Sequence, residues 1–101
     1  MANRSSISRK DQVLLRLIME KGHWIDGPEL ANEKVGGSEG LKRLRELRAE
    51  GHQIQERKHP DPDRDIWQYR ITIPKREAIP AVIDEIYPRR IWDTNDPEWR
   101  P

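Results

Sequence analysis

Few residues of this sequence have the types and spacing for covalent chemistry. His23, His52 and His59 are separated by 29 and 7 positions, which matches no zinc signature, and no cysteine supplements them. Val35-Gly36-Gly37-Ser38 lacks the lysine of a phosphate-binding loop and has no preceding strand. No nucleophile stands at a recognisable spacing from a base. The sequence therefore predicts no catalytic centre, metal or cofactor, and a protein that is not an enzyme. What remains is cations and indoles. Lys42, Arg43 and Arg45 cluster in one stretch, and Arg57, Lys58, His59 and Arg64 in another. Trp24, Trp67 and Tyr69 allow a stacking platform for single strands, but core aromatics are the favoured reading, because Trp67 and Tyr69 alternate in phase with Ile71.

Composition narrows the classes. The 101 residues suit one domain with a lean core: 34% are hydrophobic and 37% charged. No apolar run approaches the ~20 residues of a membrane span, and MANRSSISRK lacks the apolar stretch of a signal peptide, so a cytoplasmic protein is expected. Without cysteine a disulfide scaffold is impossible. The net charge of +1 is unevenly spread: residues 1–76 sum to +4 and residues 77–101 to −3. A mildly basic module is followed by an acidic appendage.

The elements that must position these groups follow from periodicity. Ser8 and Asp11 form a capping-box-like start, Val13, Leu14, Leu17 and Ile18 mark one buried helical face, and Gly22 ends it. His23-Trp24-Ile25 reads as a short edge strand or a linker. Asp26 resembles an N-cap, with Glu29 closing a box and Pro28 in the first turn of a helix of about two turns. Gly36-Gly37 breaks it. Ser38 caps a third helix that runs to about Glu50, with Leu41, Leu44 and Leu47 inward, Lys42, Arg45 and Glu46 outward, and Glu39 and Arg43 on the flank. Glu39–Arg43 and Lys42–Glu46 can pair at i,i+4. Gly51 stops this helix. The period then changes to two, and strands on either side of the Pro- and Asp-rich residues 59–65 predict a β-hairpin. Trp67, Tyr69, Ile71 and Ile73 share its apolar face. A stripe of Ile79, Val82, Ile83 and Ile86 predicts an amphipathic helix over 78–86 with Pro80 in its first turn; residues 89–101 read as extended or disordered.

The order helix, short extended piece, short helix, Gly turn, longer helix, hairpin is carried by GHWIDGPELANEKVGGSEGLKRLRELRAEGHQI and WQYRI. This stretch resembles a winged helix-turn-helix domain, and is similar to biotin-repressor-type modules and to small winged-helix proteins of bacteria and phages. The resemblance implies an α+β fold: residues 1–7 a flexible N-terminus, 8–74 the winged helix-turn-helix domain, 75–101 a C-terminal helix with an acidic, Trp-containing tail. It further implies sequence-specific duplex-DNA binding by a small transcriptional or phage-type regulator. The third helix would enter the major groove, offering Ser38, Glu39, Lys42, Arg43, Arg45 and Glu46, and the wing would offer Arg57, Lys58, His59 and Arg64 to the backbone. Asp61, Asp63 and Asp65 in the same wing repel phosphate. The alternative is a protein–protein interaction adaptor on the same scaffold. For the C-terminal segment, Ile79, Val82, Ile83, Ile86, Trp92 and Trp99 are candidate contacts to a second copy or a partner; the stripe could equally cover the domain's own core.

Overall fold

Ser8 begins the first helix as expected. Its backbone is extended and its Oγ accepts the Asp11 N–H at 3.2 Å, so α1 runs Arg9–Met19. Val13, Leu14, Leu15, Leu17 and Ile18 face inward and are buried. Gly22 (φ 85°) follows the helix, but the first left-handed residue is Lys21, with φ 51°. The computed structural model describes residues 7–32, 35, 37, 40–88 and 99; residues 1–6, Ser38, Glu39 and Trp92, all part of the expectations above, lie outside the described residues. Among the described residues the chain is a small α+β domain with four helices and a three-stranded antiparallel sheet.

Ile25–Asp26 is the edge strand β1, pairing Ile25 with Tyr69 and Asp26 with Gln68. Helix α2, Gly27–Leu30, is a single turn rather than two. Asp26 occupies its N-cap position without a side-chain cap bond, because its carboxylate accepts instead from Gln68 Nε2 at 2.8 Å. Helix α3 spans Gly40–Ala49. A Cβ on Gly40 would lie 2.1 Å from the Leu30 carbonyl oxygen, so α2 and α3 approach as closely as they do only over glycine. Leu44 and Leu47 are buried, but Leu41, expected inward, is 44% exposed. At ~100° per residue Gly40, Leu44 and Leu47 span a narrow arc, and Leu41 falls about 100° round from Gly40. At the far end His52 N–H donates to Leu47 O (3.2 Å) and Gly51 N–H to Arg48 O (3.0 Å), the paired bonds of a Schellman cap with Gly51 at φ 108°.

Strands β2 (Gln53–Lys58) and β3 (Trp67–Ile73) form the hairpin, and β3 lies centrally in the order β1-β3-β2. Ile54, Tyr69 and Ile71 face the helices and are buried. Trp67 and Ile73, expected beside them, are 49% and 51% exposed, since β3 outruns the core at both ends. Trp24 also corrects the expectation of a core aromatic. Ile25 is 2% exposed, so strand alternation sends its neighbour Trp24 to the sheet's other face.

The C-terminal segment departs from a single helix over 78–86. Pro80 lacks an amide hydrogen and becomes an N-cap, so a 3-10 turn at Arg76–Ala78 precedes α4, Ala81–Ile86. Ile83 is fully buried, and Ile79, Val82 and Ile86 pack half-buried on the same core. Trp99 is 5% exposed, and its indole N–H donates to Thr72 O at 3.1 Å. The candidate partner contacts Ile83 and Trp99 are thus part of the domain's own core. None of the described helices is long and apolar enough to cross a membrane.

Candidate nucleic-acid interface

Helix α3 and the hairpin supply the cations expected from the sequence, but the two sets are held differently. On α3, Lys42 and Arg45 are exposed, and neither has an ion-pair partner among the described residues. Arg43 turns to the other flank and pairs with Glu46 at 2.6 Å, an i,i+3 contact, while the expected Glu39–Arg43 pair involves a residue outside those described. There it borders a recess of about 370 Å³ lined by Ser8, Arg9, Lys10, Arg43 and Glu46. Lys10 is tied to Glu50, which holds its ammonium above the ordinary range chiefly by hydrogen bonding. Arg48 is anchored differently, its Nε donating to Ile54 O at 3.2 Å and so joining α3 to β2.

The hairpin cations each have a partner, on the hairpin or on β1. Lys58 pairs with Asp65, whose carboxyl that contact holds below its usual range. Arg64 reaches Asp26 at 3.4 Å. His59 Nδ1 accepts the Asp61 N–H at 3.0 Å, and its Nε2 lies 3.9 Å from Asp26. Arg57 donates from Nε to Gln68 Oε1 at 2.8 Å. Asp61 tightens the loop, its Oδ1 accepting the Asp63 N–H at 3.0 Å, while Asp65 and Asp26 neutralise part of the hairpin's positive charge.

Two arrangements differ from the favoured sequence reading. Gly27, Pro28, Ala31, Leu41, Ile66, Trp67 and Tyr69 line an open apolar groove of about 420 Å³. Gly27 is its floor: a Cβ there would stand 3.2 Å from Trp67 O and 3.3 Å from the Tyr69 ring. Burial raises the Tyr69 hydroxyl pKa, Glu56 adding and Arg48 opposing, so the group is neutral at physiological pH. The second feature is on the outward sheet face, where Arg57 and Arg70 flank Trp24 with their guanidinium carbons 4.4 and 4.5 Å from the ring centroid. The alternation of Trp24, Ile25 and Asp26 carried the signal for this placement. Among the described residues no group of three His, Asp or Glu could hold a metal ion. Comparison with family models, with curated proteins and with solved structures found no match for this chain.

Proposed function

We propose that the chain is a winged helix-turn-helix protein that binds duplex DNA, with α3 in the major groove, acting as a small sequence-specific regulator. The observation that carries this reading is the pair of exposed cations on α3, Lys42 and Arg45, neither with an ion-pair partner among the described residues. The element order α1-β1-α2-α3-β2-β3 and the sheet order β1-β3-β2 support it. Lys and Arg reach guanine acceptors, and phosphate contacts set register. Lys58 and Arg64, the cations nearest the hairpin loop, are committed to Asp65 and Asp26, so α3 bears most of the duplex contact and the loop little. Such a division lowers the number of phosphates engaged and with it the salt dependence.

Fluorescence anisotropy with a labelled mixed-sequence duplex at ~50 and ~200 mM salt tests this. Binding is expected to weaken with salt. Lys42→Ala and Arg45→Ala are each expected to lose ~1–3 kcal/mol if the side chain reads a base, or to reduce the salt slope by about one if it meets a phosphate. Arg64→Ala is expected to change little. Unchanged binding in the Lys42→Ala/Arg45→Ala double variant would overturn the assignment to α3. A protein-interaction adaptor is the second reading, favoured by the groove that leaves Leu41 and Trp67 about half exposed. Absence of duplex binding would shift the function to it.

A further inference from the structure

The outward face of the sheet has a charge arrangement unlike that of the hairpin loop. Arg70 donates from Nε and Nη2 to Gln55 Oε1 at 2.9 and 2.7 Å, and Arg57 donates from Nε to Gln68 Oε1. Both also stack near the Trp24 ring. Every partner in that set is neutral, and neither arginine has an ion-pair partner among the described residues. The closest linked carboxylate, Asp26, stands behind Gln68 and already faces Arg64 and His59. Two guanidiniums are therefore fixed in place on the outward sheet face with no carboxylate paired to them among the described residues. Their remaining N–H groups suit oxyanions, and a guanidinium plane beside an indole extends a stack on which an unpaired base can lie. A duplex conceals its base faces; a single strand does not.

We propose that the sheet face of Trp24, Gln55, Arg57, Gln68 and Arg70 is a second nucleic-acid site, which takes single-stranded DNA or RNA independently of α3. Phosphates meet Arg57 and Arg70, and a base stacks on the indole–guanidinium layer. Arginines held by acids would have offered no such site, since a bound strand would have to displace a carboxylate first. The two glutamines hold the guanidiniums without cancelling them.

The test is anisotropy of a labelled oligo-dT of ~15 nucleotides at ~50 mM salt, on the full chain. Arg57→Gln/Arg70→Gln is expected to weaken this binding by about tenfold or more while duplex binding persists, and Lys42→Ala/Arg45→Ala to do the reverse. Chemical-shift mapping on the unsubstituted protein needs no variant: oligo-dT is expected to move the Trp24 indole N–H and the Gln55 and Gln68 amides. No oligo-dT binding, or shifts confined to α3, would overturn the proposal whatever the duplex result. So would polyglutamate binding as tightly at the same resonances, which would make the face a docking surface for acidic proteins. Loss of duplex binding alone would leave this site standing and remove the α3 reading.

Discussion

His52 shows how a single side chain can be misjudged when read for chemistry. Its spacing denied it a metal role, and nothing in its neighbourhood marked it as core, yet it is 3% exposed. Its Nδ1 accepts the Lys75 N–H at 2.9 Å, so the proton sits on Nε2, which points toward the Ala78 carbonyl without closing a well-formed hydrogen bond. Burial lowers its pKa below the ordinary 6.5; Glu50 and the Ala78 carbonyl oppose this, and Lys10 and Lys75 add to it. The unfolded chain then binds a proton at a higher pH than the folded one. Stability is complete above about pH 6.5 and declines as the pH falls through that value, by up to ~1.4 kcal/mol for each pH unit until the folded value is reached. The melting temperature is expected to drop between pH 7.5 and 5.5, and His52→Asn, which keeps an acceptor without a titrating ring, is expected to flatten the drop. Equal slopes in the two proteins would refute the assignment to His52. Trp24 carries the same lesson: its aromatic character suggested core, but facing is decided by the register of Ile25, which pairing alone fixes.

At the scale of elements the sequence was most informative where one periodicity ran without interruption. The α1 stripe, the hairpin and the Gly51 stop were all legible, because each depends on local patterning or on a backbone angle that glycine tolerates. Lengths and flanks were less legible. The single turn of α2 and the exposure of Leu41 depend on which side of α3 meets α1 and α2, a tertiary choice that three leucines spaced by three residues do not specify. Gly40 was the unread residue in that choice, since a glycine inside a helix carries no periodic signal. Gly40→Ala is expected to force α2 and α3 apart and cost ~1–3 kcal/mol or more, as overpacking does. Gly51→Ala places a Cβ on a left-handed backbone and is expected to cost about 1–2 kcal/mol. Urea midpoints check both. A wild-type midpoint for Gly40→Ala would refute the close approach at Leu30.

The whole molecule joins its C-terminal segment to the core that the first two-thirds of the chain begin. The stripe at 79–86 was legible as amphipathic, but amphipathicity states only that a face must be covered, not by what. Coverage by the domain itself follows from the path of the chain: the Lys75 N–H is fixed to His52, Pro80 restarts the helix, and Ile83 arrives among the buried side chains. Ile83→Ala should therefore behave like Leu44→Ala, each removing a fully or almost fully buried aliphatic group at ~2–5 kcal/mol. The distinction from a subunit contact lies in concentration. A residue at a dimer interface lowers the melting temperature less as protein concentration rises, because association is linked to stability by mass action. A core residue lowers it by the same amount at every concentration. Melting of Ile83→Ala and the unsubstituted chain across a hundredfold dilution, about two decades of mass action, separates the two. A constant offset is expected. An offset that shrinks toward high concentration would return Ile83 to an interface between copies and reopen the question of what α4 covers.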